Sequence, residues 1–117
     1  MYDIPPEFDL TPLVGTSIDA VTLGPHWLRI MFGEDRSVSG SGTVAYRHGS
    51  DLSTIRDREW QDLNLLKSLL GAEVESWKRE SDHSFSVSLR ERGTLVFTDE
   101  TPQQYESFEI QPEGWVI

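Results

Sequence analysis

The chain of 117 residues contains no cysteine. That excludes disulfide staples, thiolate metal sites, iron–sulfur clusters and cysteine nucleophiles. It fits a reducing compartment, so a cytoplasmic location is the expectation. Long apolar runs are also missing, and nothing approaches the ~20 residues of a membrane helix. The opening Met1-Tyr2-Asp3-Ile4-Pro5-Pro6 has neither the basic start nor the apolar stretch of a secretory signal. Positive charge is scarce: ten Lys and Arg stand against twenty Asp and Glu, for a formal net charge of −10. Such a domain repels phosphate, so nucleic acid and anionic membranes are not expected partners, and basic proteins are. The scarcity is uneven. No Lys or Arg precedes Arg29 or follows Arg92, yet the two ends carry Asp3, Glu7, Asp9, Asp19, Asp99, Glu100, Glu106, Glu109 and Glu113. If the ends meet in space, they form an acidic face.

What is present supports a folded domain. Apolar residues make up 37% of the chain and include four Trp, five Phe and three Tyr. A single domain of this size buries roughly two thirds of its unfolded surface. Residues 1–12 hold three prolines and read as an extended arm. From residue 13 to 117 the pattern is that of one β-rich domain. Ile18–Leu23, Leu28–Phe32 and Ser37–Ser39 alternate as strands, with turn signals at Gly24-Pro25-His26 and Gly33-Glu34-Asp35-Arg36. Gly40-Ser41-Gly42 breaks or bulges the third strand, and Thr43–Tyr46 continues it. Residues 47–53 read as a loop. One helix is predicted near 54–70, from Trp60, Leu63, Leu66, Leu69 and Leu70 at helical spacing, with Thr54-x-x-Asp57 at its start and Gly71 as its stop. Beyond it, Val74–Trp77, Phe85–Leu89 and Thr94–Phe97 read as strands. Tyr105–Ile110 and Trp115–Ile117 follow, around a Pro112-Glu113-Gly114 turn.

The two halves match. Leu13-Val14-Gly15-x-x-Ile18 lines up with Leu69-Leu70-Gly71-x-x-Val74, 56 positions on. His26-x-Leu28-x-Ile30-x-Phe32 lines up with His83-x-Phe85-x-Val87-x-Leu89, 57 positions on, and Ser37-Val38 with Thr94-Leu95 in the same register. Each half therefore predicts a three-stranded meander, over about 13–46 and 69–110. One such meander buries a single face and is marginal alone, whereas two can cover each other or join into one sheet. These motifs, with Phe32-Gly33-Glu34-Asp35 and the closing Tyr105-Glu106-Ser107-Phe108-Glu109-Ile110, resemble a family of small uncharacterised bacterial β-rich proteins. Its members carry two L-x-G…F-x-D-G-type meanders and end on Y-E-S-F/W-x-I. The turns here depart from D-G, with Asp35-Arg36 in the first and Arg92-Gly93 in the second. The resemblance implies an immunity or inhibitor role in bacterial conflict, and it assigns no functional residues.

Motifs for chemistry are absent. Ser39-Gly40-Ser41-Gly42 lacks the spacing of a nucleophile elbow, and no Lys follows it as in a phosphate-binding loop. His26, His48 and His83 show no metal-ligand spacing; His26 and His83 would meet only if the halves bring their turns together. No catalytic residue, metal or cofactor is therefore expected. The fold expectation is α+β and β-rich: two related antiparallel meanders joined by the helix, or a continuous curved sheet. The functional expectation is a non-enzymatic acidic domain that binds a basic protein by steering and a smaller apolar contact. Its acidic part would be Asp99, Glu100, Glu106 and Glu109, with Tyr105 and Trp115 as anchors. Trp27 and Trp115, beside turns, are the tryptophans expected at a contact surface. Two other classes stay open. A self-assembling structural domain would form a homodimer over its sheet edges, and a small enzyme or ligand-binding protein would need a concave pocket.

Overall fold

The computed structural model describes residues 4–56, 61–98 and 108–117. In chain order its strands are β1 (Ile18–Leu23), β2 (Leu28–Phe32), β3 (Ser37–Gly40), β4 (Thr43–His48), β5 (Asp51–Arg56), β6 (Val74–Ser81), β7 (Ser84–Leu89), β8 (Gly93–Thr98), β9 (Phe108–Gln111) and β10 (Trp115–Val116). They form two antiparallel five-stranded sheets, ordered β1-β2-β3-β9-β10 and β5-β4-β8-β7-β6. A short helix, α1 (Leu63–Lys67), stands between the halves.

Alternation builds the strands as expected. Leu28, Ile30 and Phe32 of β2 point into the core while Arg29 and Met31 do not. Phe85, Val87 and Leu89 do the same on β7. The sheets meet through aromatic rings. Phe85 and Phe97 stack at 4.9 Å in the second sheet, and Phe108 of the first sheet meets them edge-on at 6.0 and 5.4 Å. Such offset and T-shaped contacts add to the large area each ring buries. The N-terminal segment supplies a further ring: Phe8 lies 5.3 Å from Phe85, 5.6 Å from Trp77 and 5.7 Å from Trp115. Ile4, Phe8 and Leu10 are all buried. Through Phe8 and Trp115 the two ends of the chain do meet.

Gly40-Ser41-Gly42 is a crossover between sheets. β3 ends in the first and β4 begins in the second. A Cβ on Gly42 would sit 2.5 Å from the Phe108 ring and 3.0 Å from the Thr98 carbonyl, so only glycine lets the chain pass there. Arg56, 4% exposed, clamps the crossover by donating to the carbonyls of Ser41 at 2.6 Å and Gly42 at 3.1 Å.

Thr43–Tyr46 thus does not continue the third strand but opens β4 of the other sheet, and two further expectations are corrected. The helix does not begin near 54: Thr54, Ile55 and Arg56 belong to β5, where Thr54 and Arg56 pair with β4 on either side of a register shift at Ile55. Trp60 and Asp57, offered for the helix and its start, lie outside the described residues. Asp62 caps α1 instead, accepting from the Leu65 amide at 2.9 Å. Helical spacing of leucines persists, but Leu66 and Leu69 are buried while Leu63 and Leu70 are exposed, which leaves one helical turn's worth of core contact. The second correction concerns residues 47–53, which are mostly strand. Gly49-Ser50 is a two-residue hairpin turn between β4 and β5, with Gly49 at φ 63°.

The halves correspond bond for bond around their glycines. Gly15 donates to the Val74 carbonyl, and Gly71, 56 positions on, donates to that of Ile18. Ile18 donates to Ala72 and Val74 to Thr16, which is the same exchange again. The Ser17–Glu73 bridge lies on the pseudo-two-fold between them. Gly15 and Gly71 share φ values of 90° and 86°. Further out, Gly33 donates to Ser17 and Arg90 to Glu73. Each half is a lead-in turn, a three-stranded meander and a hairpin. Hairpin β4–β5 follows the first meander but pairs with the second, through β8, while β9–β10 follows the second and pairs with the first, through β3. The halves exchange hairpins.

Candidate functional site

Of the six residues singled out as a partner surface, Asp99, Glu100, Tyr105 and Glu106 lie outside the described residues. Glu109 and Trp115 are described, and the structure separates them. Phe108 and Ile110 of β9 face the core, so Glu109 points outward. Trp115 pairs with Ile110 and therefore shares the inner side, where its ring leans on Phe8. Its indole nitrogen is buried there without a hydrogen-bond partner among the described residues. Trp115 closes an end of the core.

Among the described tryptophans, Trp27 is the one that reaches the surface, at 39% exposure. It follows the β1–β2 turn, which is held by a Gly24 amide bond to the Trp27 carbonyl and by the Gln61 side chain on the carbonyls of Gly24 and Pro25. The indole lies against Gly24, where a Cβ would collide with its nitrogen at 2.3 Å. The Arg29 guanidinium stands 5.7 Å over the ring. Arg29, Ser39 and Glu109 form one cross-strand row on the outer face of the first sheet.

The outer face of the second sheet is different. Ser84, Ser86 and Ser88 of β7 alternate with its core residues and face outward. Ser84 pairs with the Thr98 hydroxyl and Ser88 with that of Thr94, each at 3.2 Å. Arg47 on β4 and Glu80 on β6 reach over the two strands between them and meet at 3.5 Å. Ser86 beneath them is 2% exposed and donates to Glu80 at 2.8 Å. Burial alone pushes the Glu80 carboxyl up, but the bonds from Ser86 and Arg47 and the charges of Arg47 and Lys78 outweigh it and hold the carboxyl below its ordinary value. Asp9, bonded by the Thr11 hydroxyl and amide, is lowered too.

Charge is sorted by partner. Arg36 pairs with Glu113 at 2.7 Å, Arg47 with Glu80, Arg79 with Asp82 at 3.4 Å and Arg90 with Glu73 at 3.1 Å. Arg56 and Arg92 donate to backbone carbonyls. By contrast Glu7, Asp19, Glu34, Asp35, Asp51 and Glu75 are exposed, and none forms an ion pair with a described cation.

Among the described residues no group of three or more His, Asp or Glu is placed to hold a metal. The antiparallel Ser17–Glu73 bridge sends β1 and β6 away in opposite directions. His26 and His83, beyond their far ends, are carried apart. No described helix is long and apolar enough to cross a membrane.

Sequence reasoning missed Leu52. It is 66% exposed on β5, the most exposed large apolar side chain among the described residues. The signal was available in Gly49-Ser50, a two-residue turn between six-residue segments. No family model matches the chain, and no curated protein and no solved structure matches it either.

Proposed function

We propose that this chain is a non-enzymatic binding domain for a basic protein, and in its sharpest form an inhibitor or immunity protein. The observation that carries the reading is the sorting of charge. The described arginines are largely engaged with the protein's own carboxylates and carbonyls, while several exposed carboxylates have no ion pair among the described residues of a chain of net charge −10. An outward field of one sign steers a partner of the other and suppresses like-charged ones. Exposed Trp27 offers an aromatic anchor of the kind that such contacts use. The immunity version comes from the resemblance in the Leu-x-Gly lead-ins and the closing Tyr105–Ile110 motif, and from nothing else. We read the two halves as copies of one ancestral unit, on the matching bonds about Gly15 and Gly71. Affinity capture from a native lysate, eluted in steps of salt and read by mass spectrometry, tests the function. One basic protein released at moderate salt is the expected result; return of the bait alone overturns the reading.

A further inference from the structure

We infer that β5 is the docking edge, and that its occupant is an extended basic segment of the partner, added as a sixth strand to the second sheet. The inference rests on the reading of a basic partner and names where and how that partner engages.

Each sheet has two edges: of the four, β6 is covered, β10 is very short, β1 is held at its two ends, and β5 alone carries an exposed large apolar side chain among the described residues. At β1 the Gly71–Ala72 segment bonds to Ile18, and Gln61 holds the turn beyond its other end. Along β6 the N-terminal segment does the covering: Thr16 bonds with Val74, the Trp77 indole reaches Thr11, Arg79 donates to the carbonyls of Ile4 and Pro5, and the Ile4 amide donates to Asp82. β10 has only two residues. On β5 the chain turns back at its end, where Asp62 donates to the Ile55 carbonyl and Arg56 bridges Gln61. From Asp51 to Thr54 all four residues are exposed, and their outer side has no strand beside it among the described residues.

The matching halves sharpen this. Val38 and Leu95 are equivalent, and their neighbours in the exchanged hairpins are Ile110 and Tyr46. Ile110 pairs with Trp115, and Tyr46 with Ser53. Leu52 therefore stands where the other hairpin has Gly114, and Asp51 where it has Glu113. Gly114 is folded into a tight turn, at φ 80°, and Glu113 is held by Arg36. At the same place in the second sheet the hairpin runs on, exposes a leucine, and leaves Asp51 without an ion pair among the described residues. An open edge offers backbone donors and acceptors to an incoming strand. Leu52 supplies an apolar contact, and Asp51 with the net charge of −10 selects Lys or Arg in that strand.

The test uses the full chain, with a short peptide of alternating valine and lysine as probe and its glutamate counterpart as control. Backbone amide shifts are followed by NMR, together with the mass in solution. The expected result is that the lysine peptide shifts the amides of Asp51–Thr54 and that the glutamate peptide does not. Affinity should fall by about tenfold or more as salt rises from about 20 to about 300 mM. Leu52→Lys, at an exposed site, should keep the thermal melt and weaken the peptide by about tenfold. Shifts confined to the Trp27–Glu109 face, equal binding of both peptides, or no binding overturns the proposal. So does a doubled mass with the same amides protected, which would make a second copy the occupant. If a captured basic protein binds Leu52→Lys as tightly as the parent, the edge is wrong while the basic-partner reading stands. If no basic protein binds the parent, both fall.

Discussion

Hairpins β4–β5 and β9–β10 hold matching places, one at the outer side of each sheet, yet the first has six residues in each strand and the second has four and two. The shorter one is bonded within itself through its turn and its end, and is held from outside at Glu113. Gly114 donates to Ile110, Ile117 exchanges bonds with Phe108, and the Arg36 guanidinium donates to both carboxylate oxygens of Glu113. The longer one is closed only near its end, by Asp62 and Gln61. Inner positions agree where outer ones do not: Ile55 and Ile117 are both buried, whereas Leu52 is open to water and its counterpart Gly114 has no side chain to offer. Packing holds the inner pattern in both halves, and the two differ in the outward part of one hairpin.

Substitutions can break or sharpen this comparison. The largest effect is expected at Phe108, the inner residue that the second half lends to the first sheet. Phe108→Ala should cost about 3–5 kcal/mol, as deletion of a buried aromatic does. Unfolding should remain one transition by calorimetry, since the ring meets Phe85 and Phe97 of the other sheet. Two separate transitions would mean that the sheets unfold independently. Next comes the crossover. Gly42→Ala forces a methyl toward the Phe108 ring and the Thr98 carbonyl, and should cost about 1–3 kcal/mol in urea titration. A paired experiment follows at Gly15 and Gly71. Neither has a neighbour that a Cβ would strike, so only the left-handed backbone opposes alanine. Each change should cost about 1–2 kcal/mol, and the two costs should agree; clearly unequal values would argue that the matched bonds do not bear matched load.

Acid should separate the sheets more gently. Glu80 has a folded pKa below its unfolded value, so the stability it confers is complete above the unfolded value and drains away as pH falls through the folded one. Glu80→Gln should therefore flatten the acid limb of a pH–stability curve and cost about 1 kcal/mol at neutral pH. An unchanged acid limb would remove Glu80 from the account. The smallest effect is expected from Arg36→Ala, about 0.5 kcal/mol, because its pair with Glu113 is partly open to solvent. Thermal melts in low and high salt should show that difference shrinking.

Much of the fold was legible because its inner faces obey simple periods. β1, β2 and β7 fall where alternation puts them, and the lead-in glycines mark the turns that the halves share. Strand order was not legible, because it depends on which sheet receives each hairpin. The decision is made at Gly42, by steric room beside Phe108, and nothing in local pattern announces it. Residues 54–56 were misread because leucines after 62 extend a helical rhythm backward over a strand whose partner is distant from it only by a two-residue turn. The site was less legible still. Trp27 was picked out for its place beside a turn and does reach the surface, but the same reason picked Trp115, which register turns inward. Leu52 sits in a polar stretch that reads as loop, so its exposure on an edge became visible only with the pairing of β4 and β5.

The exchange of hairpins also ties each half to the other. A change at Val44 is felt by Phe97 of the other half, and a change at Ile110 by Val38. Along these two seams a mutation in one half meets a residue of the other, and is corrected there by a second mutation across the seam. Those seams give a single chain the mutual dependence of an obligate dimer.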